Sequence, residues 1–248
     1  KNTPKEKPYN LVFIHLGKKI PGYTKDAIHQ ASLFNKNCNI ILVADKKALK
    51  KKKFTLSEYN VLEIPTESLK KTHSHKIFLK KSLQDRSFRN GFWVFTTERF
   101  FYLHELMNKF KLKNVFHLEN DILLYVDIEN LLLVFKQYYK NIAATYDDDD
   151  RCIQGFMYVS NHNSLKNLTT IITQNISKNS NDMTLLALYK NRFDSYFIDN
   201  LPIVSKEYTK KYPLKPLYDN RTRNEENYIK NIDQFQSLFD AAAFGQYI

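Results

Sequence analysis

Three short apolar runs near the start of the chain constrain the fold more than any other feature. "NLVFIHLG" (10–17), "CNIILVAD" (38–45) and "VLEIP" (61–65) show no polar alternation, which is the pattern of strands covered on both faces. Between the first two, "PGYT" (21–24) makes a turn, and Thr24 is placed to cap a helix reaching about Phe34. Strand, helix, strand with apolar strands predicts a mixed, mostly parallel α/β sheet flanked by helices.

The rest of the chain extends that pattern. Residues 1–9 read as a basic, mobile tail and 66–92 as polar and irregular, with His73 and His75 on the surface. "TTERFFYLHELMNKFKL" (96–112) has apolar residues at 100, 103, 107 and 110, one helical face behind a threonine cap. A strand at 114–118 follows, then a helix over 127–140 capped by Asp127. Strands at 142–146 and 152–161 flank "DDDD" (147–150), read as a solvated loop or an acceptor-binding edge. Helices over 164–176 and 181–192 and a short strand at 197 leading into a proline turn complete the series. The final "FDAAAFGQYI" breaks off in an apolar stretch and reads as an excised domain or a disordered end.

Composition excludes several classes. The formal net charge of +12 invites a polyanionic partner. The excess is lysine, in a chain also rich in Asn, Ile and Tyr and poor in Gly, Pro and Trp, the residue usage of AT-rich codons. Genome composition therefore accounts for the charge, and specific nucleic-acid binding is not expected. The run 45–54, "DKKALKKKKF", reads as solvated surface, with an anionic partner as its rival. Two cysteines, Cys38 and Cys152, exclude a multi-bridge scaffold and fit a reducing, cytoplasmic setting. No apolar run approaches the ~20 residues of a membrane span. The start without Met leaves room for a signal or anchor removed upstream.

Ligands of open α/β sheets bind beyond the carboxyl ends of the strands. Asp45 stands at one such end, and "HLENDILLY" (117–125) puts Glu119 and Asp121 at another. In an extended chain these two carboxylates face the same side, a hard-oxygen pair suited to Mg²⁺ or Mn²⁺. The plain alternative is two solvated acids in a turn. Asp182 opens a helix, where an acid serves either as a cap or as a general base.

Four segments in order resemble the metal-dependent, nucleotide-sugar glycosyltransferases of GT-A fold, in their glycogenin-like branch. "HLENDILLY" resembles the acid-x-acid strand end, with Glu-Asn-Asp in place of Asp-x-Asp, and "IQGFMYVSN" (153–161) the strand written Asn-x-Gly. "NDMTLL" (181–186) falls where the family opens a helix with an acid, and Leu201-Pro202 matches a later Leu-Pro. The resemblance implies one catalytic domain over 10–248, with a nucleotide-binding half at about 10–125 and an acceptor half at 126–248. It implies a UDP- or GDP-sugar donor, a glycan, protein or small-molecule acceptor, and Mn²⁺ or Mg²⁺.

By the same resemblance, Asp121 binds the metal directly and Glu119 reaches the ribose or the metal. His15, Leu16, Gly17, Asp45 and Asn120 border the donor, and Gln154 and Gly155 line its sugar pocket. Arg99 meets a phosphate or forms a structural ion pair, and Asp182 acts as base in an inverting transfer. The family's C-terminal His-x-x-Gly metal motif does not appear before residue 248. The rival readings are a nucleotidyltransferase-like enzyme, for which "GKKIPG" (17–22) is a faint echo of a basic glycine loop, and a basic nucleic-acid-binding module.

Overall fold

The computed structural model describes residues 3–177, 180–192, 198–212 and 224–239, with the side chains of 190–192 set aside. Seven strands form one sheet: β1 (Asn10–His15), β2 (Asn39–Ala44), β3 (Val61–Pro65), β4 (Val115–Leu118), β5 (Ile142–Asp148), β6 (Arg151–Val159) and β7 (Ile198–Asn200). Their order is β3-β2-β1-β4-β6-β5-β7. β6 is antiparallel to both neighbours, and every other pairing is parallel. The mixed, mostly parallel sheet expected from the apolar runs is what forms.

The helices are α1 (Tyr23–Phe34), α2 (Lys46–Lys51), α3 (His73–Lys81), α4 (Phe92–Phe110), α5 (Ile128–Tyr138), α6 (His162–Asn175), α7 (Asp182–Arg192), α8 (Lys206–Lys211), α9 (Glu225–Ile229) and α10 (Ile232–Phe235). Strand alternation divides the core in two. Val12 and Ile14 of β1 join Phe78 of α3, Phe100 and Leu103 of α4 and Leu168 of α6 on one face. Leu11 and Phe13 join Ile28 of α1 and Leu132 and Phe135 of α5 on the other. Burying a side chain such as Phe116 or Phe135 completely contributes roughly 1.5–3 kcal/mol.

Several local expectations are corrected. Thr24 is buried inside α1 and caps nothing; the helix opens at Gly22 without a side-chain cap. Residues 66–92 are irregular only in part, because Thr72 caps α3 over His73–Lys81 by accepting from the His75 amide. His75 is fully buried, whereas His73 is exposed as expected. α4 starts four residues before Thr96, after left-handed Gly91, and Thr96 instead donates back to the Trp93 carbonyl. "DDDD" is only half a loop: Asp147 and Asp148 are buried in β5, with Asp147 pairing with Arg151 at 3.2 Å, while Asp149 and Asp150 make the turn and Asp150 is exposed. Lys46–Lys51 form a helix that buries Ala48 and Leu49. Within the basic tail, the Lys5 amide bonds Asn39 and Tyr9 is fully buried. Asp127 caps α5 as expected. Residues 240–248, most of the apolar ending, lie outside the described residues.

Candidate active site

Strand order reverses direction between β1 and β4, and a cleft of about 650 Å³ opens beyond their carboxyl ends. One wall is the turn after β1, with His15, Leu16, Gly17, Lys18 and Lys19, joined by Tyr23 of α1. The floor is Glu119, Asn120 and Asp121. The opposite wall is the start of α4, preceded by Arg89 and Asn90. Phe92, Phe95, Thr96 and Arg99 line it because three- and four-residue steps stack on one helical face. Gly17 has φ +138°, a conformation that resists any side chain, so the backbone itself borders the cleft there.

Arg99 organises the floor. Its guanidinium meets Glu119 Oε1 at 2.5 Å and Asp182 Oδ2 at 3.0 Å. Gln154 also donates to Asp182 Oδ2. A wide irregularity in the β5–β6 pairing puts Gln154 there: Ala144 pairs with Met157 and Thr145 with Ile153, so residues 154–156 have no opposite number in β5. Burial works to raise the Glu119 pKa, but the charge and hydrogen bonds of Arg99 outweigh it and hold the carboxyl below its ordinary value. Burial pushes Asp182 up against the opposing pull of Arg99. His117, buried beneath the floor and beside Arg99, is lowered to about 4, chiefly by burial, and so is neutral.

The acid pair is not built as the extended reading requires. Residues after Leu118 turn, with the Ile122 amide bonding the Glu119 carbonyl at 3.2 Å, and this removes the strand alternation. Glu119 turns toward Arg99 with 34% of its side chain exposed, while Asp121 is exposed and makes no ion pair among the described residues. Asn120 ties the turn to β1 by donating to the Ile14 carbonyl at 3.1 Å. Glu119 already carries a cation, and among the described residues no three His, Cys, Asp or Glu side chains converge on one point. The donor set does not fit the two-carboxylate metal centre that the spacing suggested.

The remaining expected residues divide clearly. Asp45 accepts from Thr66 Oγ1 at 2.9 Å and is not among the residues lining the cleft. Gly155 meets the floor through its carbonyl, which accepts from the Glu119 amide at 2.9 Å. Asp182 is 3% exposed and lies behind Arg99 instead of on the cleft wall. It is not the helix cap, because Asn181 accepts from the Thr184 amide. Tyr23, Arg89, Asn90, Phe92 and Phe95 were not picked out in the sequence as site residues, while Lys18 and Lys19 entered only through the "GKKIPG" echo and Thr96 only in the threonine cap. The one available signal was the 92, 95, 96, 99 spacing behind Gly91, legible only with the helix begun at its true start.

The sheet order, with β6 the one reversed strand among the described residues, and the switch-point cleft match a GT-A glycosyltransferase fold, which solved structures share. Among solved structures, the chain is similar to apo mouse xyloside xylosyltransferase 1, with 12% identity, a TM-score of 0.55, and 82% of this chain and 89% of that one covered. It is also similar to an active-site mutant of LgtC, with 12% identity, a TM-score of 0.50, and 94% and 85% covered. No family model matches the sequence, and no curated protein matches it closely enough to count as a relative. At these identities the likeness is one of fold.

Proposed function

We propose that the chain transfers a sugar from a UDP- or GDP-linked donor to a hydroxyl acceptor. The carrying observation is the switch-point cleft, whose Glu119 and Arg99 are backed from behind by the buried contacts of Arg99 to Asp182 and of Asp182 to Gln154. His15 Nε2, Asn120 Oδ1, Gln154 Oε1 and Arg99 Nε are buried there without hydrogen-bond partners. Buried polar atoms normally find partners, so this set suits a ligand rich in hydroxyls and oxygens. The GT-A fold supports the reaction class by analogy.

In the transfer, the bond from the anomeric carbon to the phosphate oxygen breaks, one to the acceptor oxygen forms, and the acceptor's hydroxyl proton passes to the departing diphosphate. Negative charge grows on the departing diphosphate, and fixed cations in a cleft stabilise that change. Arg99 is the fixed point, with Glu119 and Asp182 holding its fork on two sides. Asp182 is then a positioning residue for Arg99. Its oxygens already accept from Arg99, Gln154 and the Met183 amide, which removes the motive for inversion through Asp182. Mn²⁺ or Mg²⁺ on Glu119 and Asp121 is not part of this reading, because Arg99 occupies the first and the turn diverts the second.

Melting curves with UDP and GDP test the reading, since a ligand bound only by the native state raises Tm. One diphosphate should raise it, and the matching nucleotide sugar should release that diphosphate slowly into water. A nucleotidyltransferase would instead release pyrophosphate from a nucleoside triphosphate, and that product would replace this reading.

A further inference from the structure

Resting on that reading, we propose that the donor's diphosphate is gripped by protein cations, Arg89 from one wall and Lys18 and Lys19 from the other, and that nucleotide binding needs no divalent metal. Four cations and two carboxylates line the cleft. Arg99 is committed to Glu119 and Asp182. Lys18, Lys19 and Arg89 make no ion pair among the described residues and leave the cleft with unmatched positive charge. A diphosphate supplies the opposite charge, and the guanidinium fork suits two phosphate oxygens at once.

The backbone that carries Arg89 supports the same role. Arg89 (φ 44°), Asn90 (φ 58°) and Gly91 (φ 96°) are three successive left-handed residues. Only the glycine adopts that conformation without cost, and strain of this kind persists where surrounding contacts over-determine it, often at ligand clamps. Those contacts are present. Phe88 stacks on Trp93 at 5.7 Å and meets Phe92 edge-on at 6.0 Å, while the Gly91 amide bonds the Phe88 carbonyl at 3.0 Å. The Arg89 guanidinium lies 5.3 Å over the Phe88 ring and 6.0 Å from that of Phe92. An exposed arginine held on aromatic faces at the cleft lip is pre-organised, which lowers the entropy cost of gripping an anion.

On the metal, the inference departs from what the resemblance implies. A divalent ion on Glu119 would sit beside a guanidinium 2.5 Å from that carboxylate, a like-charge contact. The proposed clamp supplies the compensating charge without that conflict.

Calorimetry on the full chain tests the clamp, with UDP, GDP and the two bare nucleosides as probes, each in EDTA and in Mg²⁺. The wild type should prefer one diphosphate over its nucleoside in EDTA. Arg89→Ala, and the double change Lys18→Ala with Lys19→Ala, should each weaken that diphosphate about tenfold or more and leave the nucleoside within about twofold, since only charge-assisted bonds are lost. Arg89→Lys should recover part of the loss. Diphosphate binding that appears only with Mg²⁺, or variants that bind it as tightly as wild type, would overturn the clamp while leaving the nucleotide reading intact. A wild type that binds no nucleotide in either buffer would sink both.

Discussion

Glu98 and Arg99 are neighbours on α4, yet the ion pairs they join have opposite characters. On one side, His75 lies fully buried between Glu98 (3.0 Å) and Glu105 (2.8 Å), with the Phe101 ring 5.2 Å and the Tyr102 ring 4.8 Å away. On the other, Arg99 lies between Glu119 and Asp182, with Glu119 opening to the cleft. Both are a basic side chain between two carboxyl groups. The His75 cluster is sealed by aromatic rings and ties α3 to α4. The His75 cluster leaves one buried atom, Glu105 Oε2, unpartnered inside that seal, whereas four such atoms lie about the Arg99 cluster and its open cleft. A site is marked by what its charges leave unsatisfied at an open edge, and buried charge alone does not mark one.

Breaking the two clusters should give different phenotypes. Arg99→Met leaves two acids without their cation. It should cost about 3 kcal/mol in urea unfolding, the scale for losing one partner of a buried pair, discounted for the partly exposed Glu119. Sugar transfer should fall by at least about a hundredfold, as for a lost electrostatic anchor. An Arg99→Met chain that turns over at the wild-type rate would place the site elsewhere. Asp182→Asn keeps Arg99 but loosens its hold. kcat should fall about ten- to a hundredfold with diphosphate affinity little changed, and a fall in affinity as large as that in kcat would reject the positioning role.

The His75 cluster should respond to pH and not to nucleotides. Burial alone would lower the His75 pKa, but hydrogen bonds to the Glu105 and Glu98 carboxylates outweigh it and raise it above 6.5. The Lys71 charge opposes this rise, and Lys71 itself bonds Tyr102 Oη at 2.6 Å. A raised folded-state pKa stabilises fully below the unfolded value and is lost as pH rises through the folded value. Urea stability should therefore decline as pH rises above 6.5, and His75→Gln should remove that decline and cost about 2 kcal/mol on the acid side. Nucleotide affinity should not move, and if it falls with His75 the two clusters are coupled through α4. The smallest effect is expected at Asp45. Asp45→Asn should change stability by less than about 1 kcal/mol, the worth of its Thr66 hydrogen bond, and should leave diphosphate binding unchanged.

The contrast between the clusters also explains what was legible in the sequence. Continuous apolar runs located β1, β2, β3 and β4 because strands buried on both faces carry no polar alternation. The switch-point floor was legible through Glu119, Asn120 and Asp121, since acids ending an apolar strand need a reason to be there. Their geometry was not, because spacing cannot distinguish an extended strand from the turn that sends Glu119 toward Arg99. The ties from Arg99 to Asp182, 83 residues away, and from His75 to Glu105, 30 residues away, are set by packing alone. α3 was missed because its apolar face is short and interrupted by a histidine whose partners lie on another helix. Arg89 escaped notice because a strained turn, and no motif, carries it to the cleft lip.

The most direct test of the nucleotide-sugar site is release of nucleoside diphosphate from a panel of UDP- and GDP-sugars by the wild-type chain, with water as the slow acceptor. One donor should be cleaved preferentially, and its free diphosphate should inhibit that cleavage by competing for the same cleft. Failure to cleave any donor, with no donor or diphosphate raising the Tm, would contradict a nucleotide-sugar site between β1 and β4.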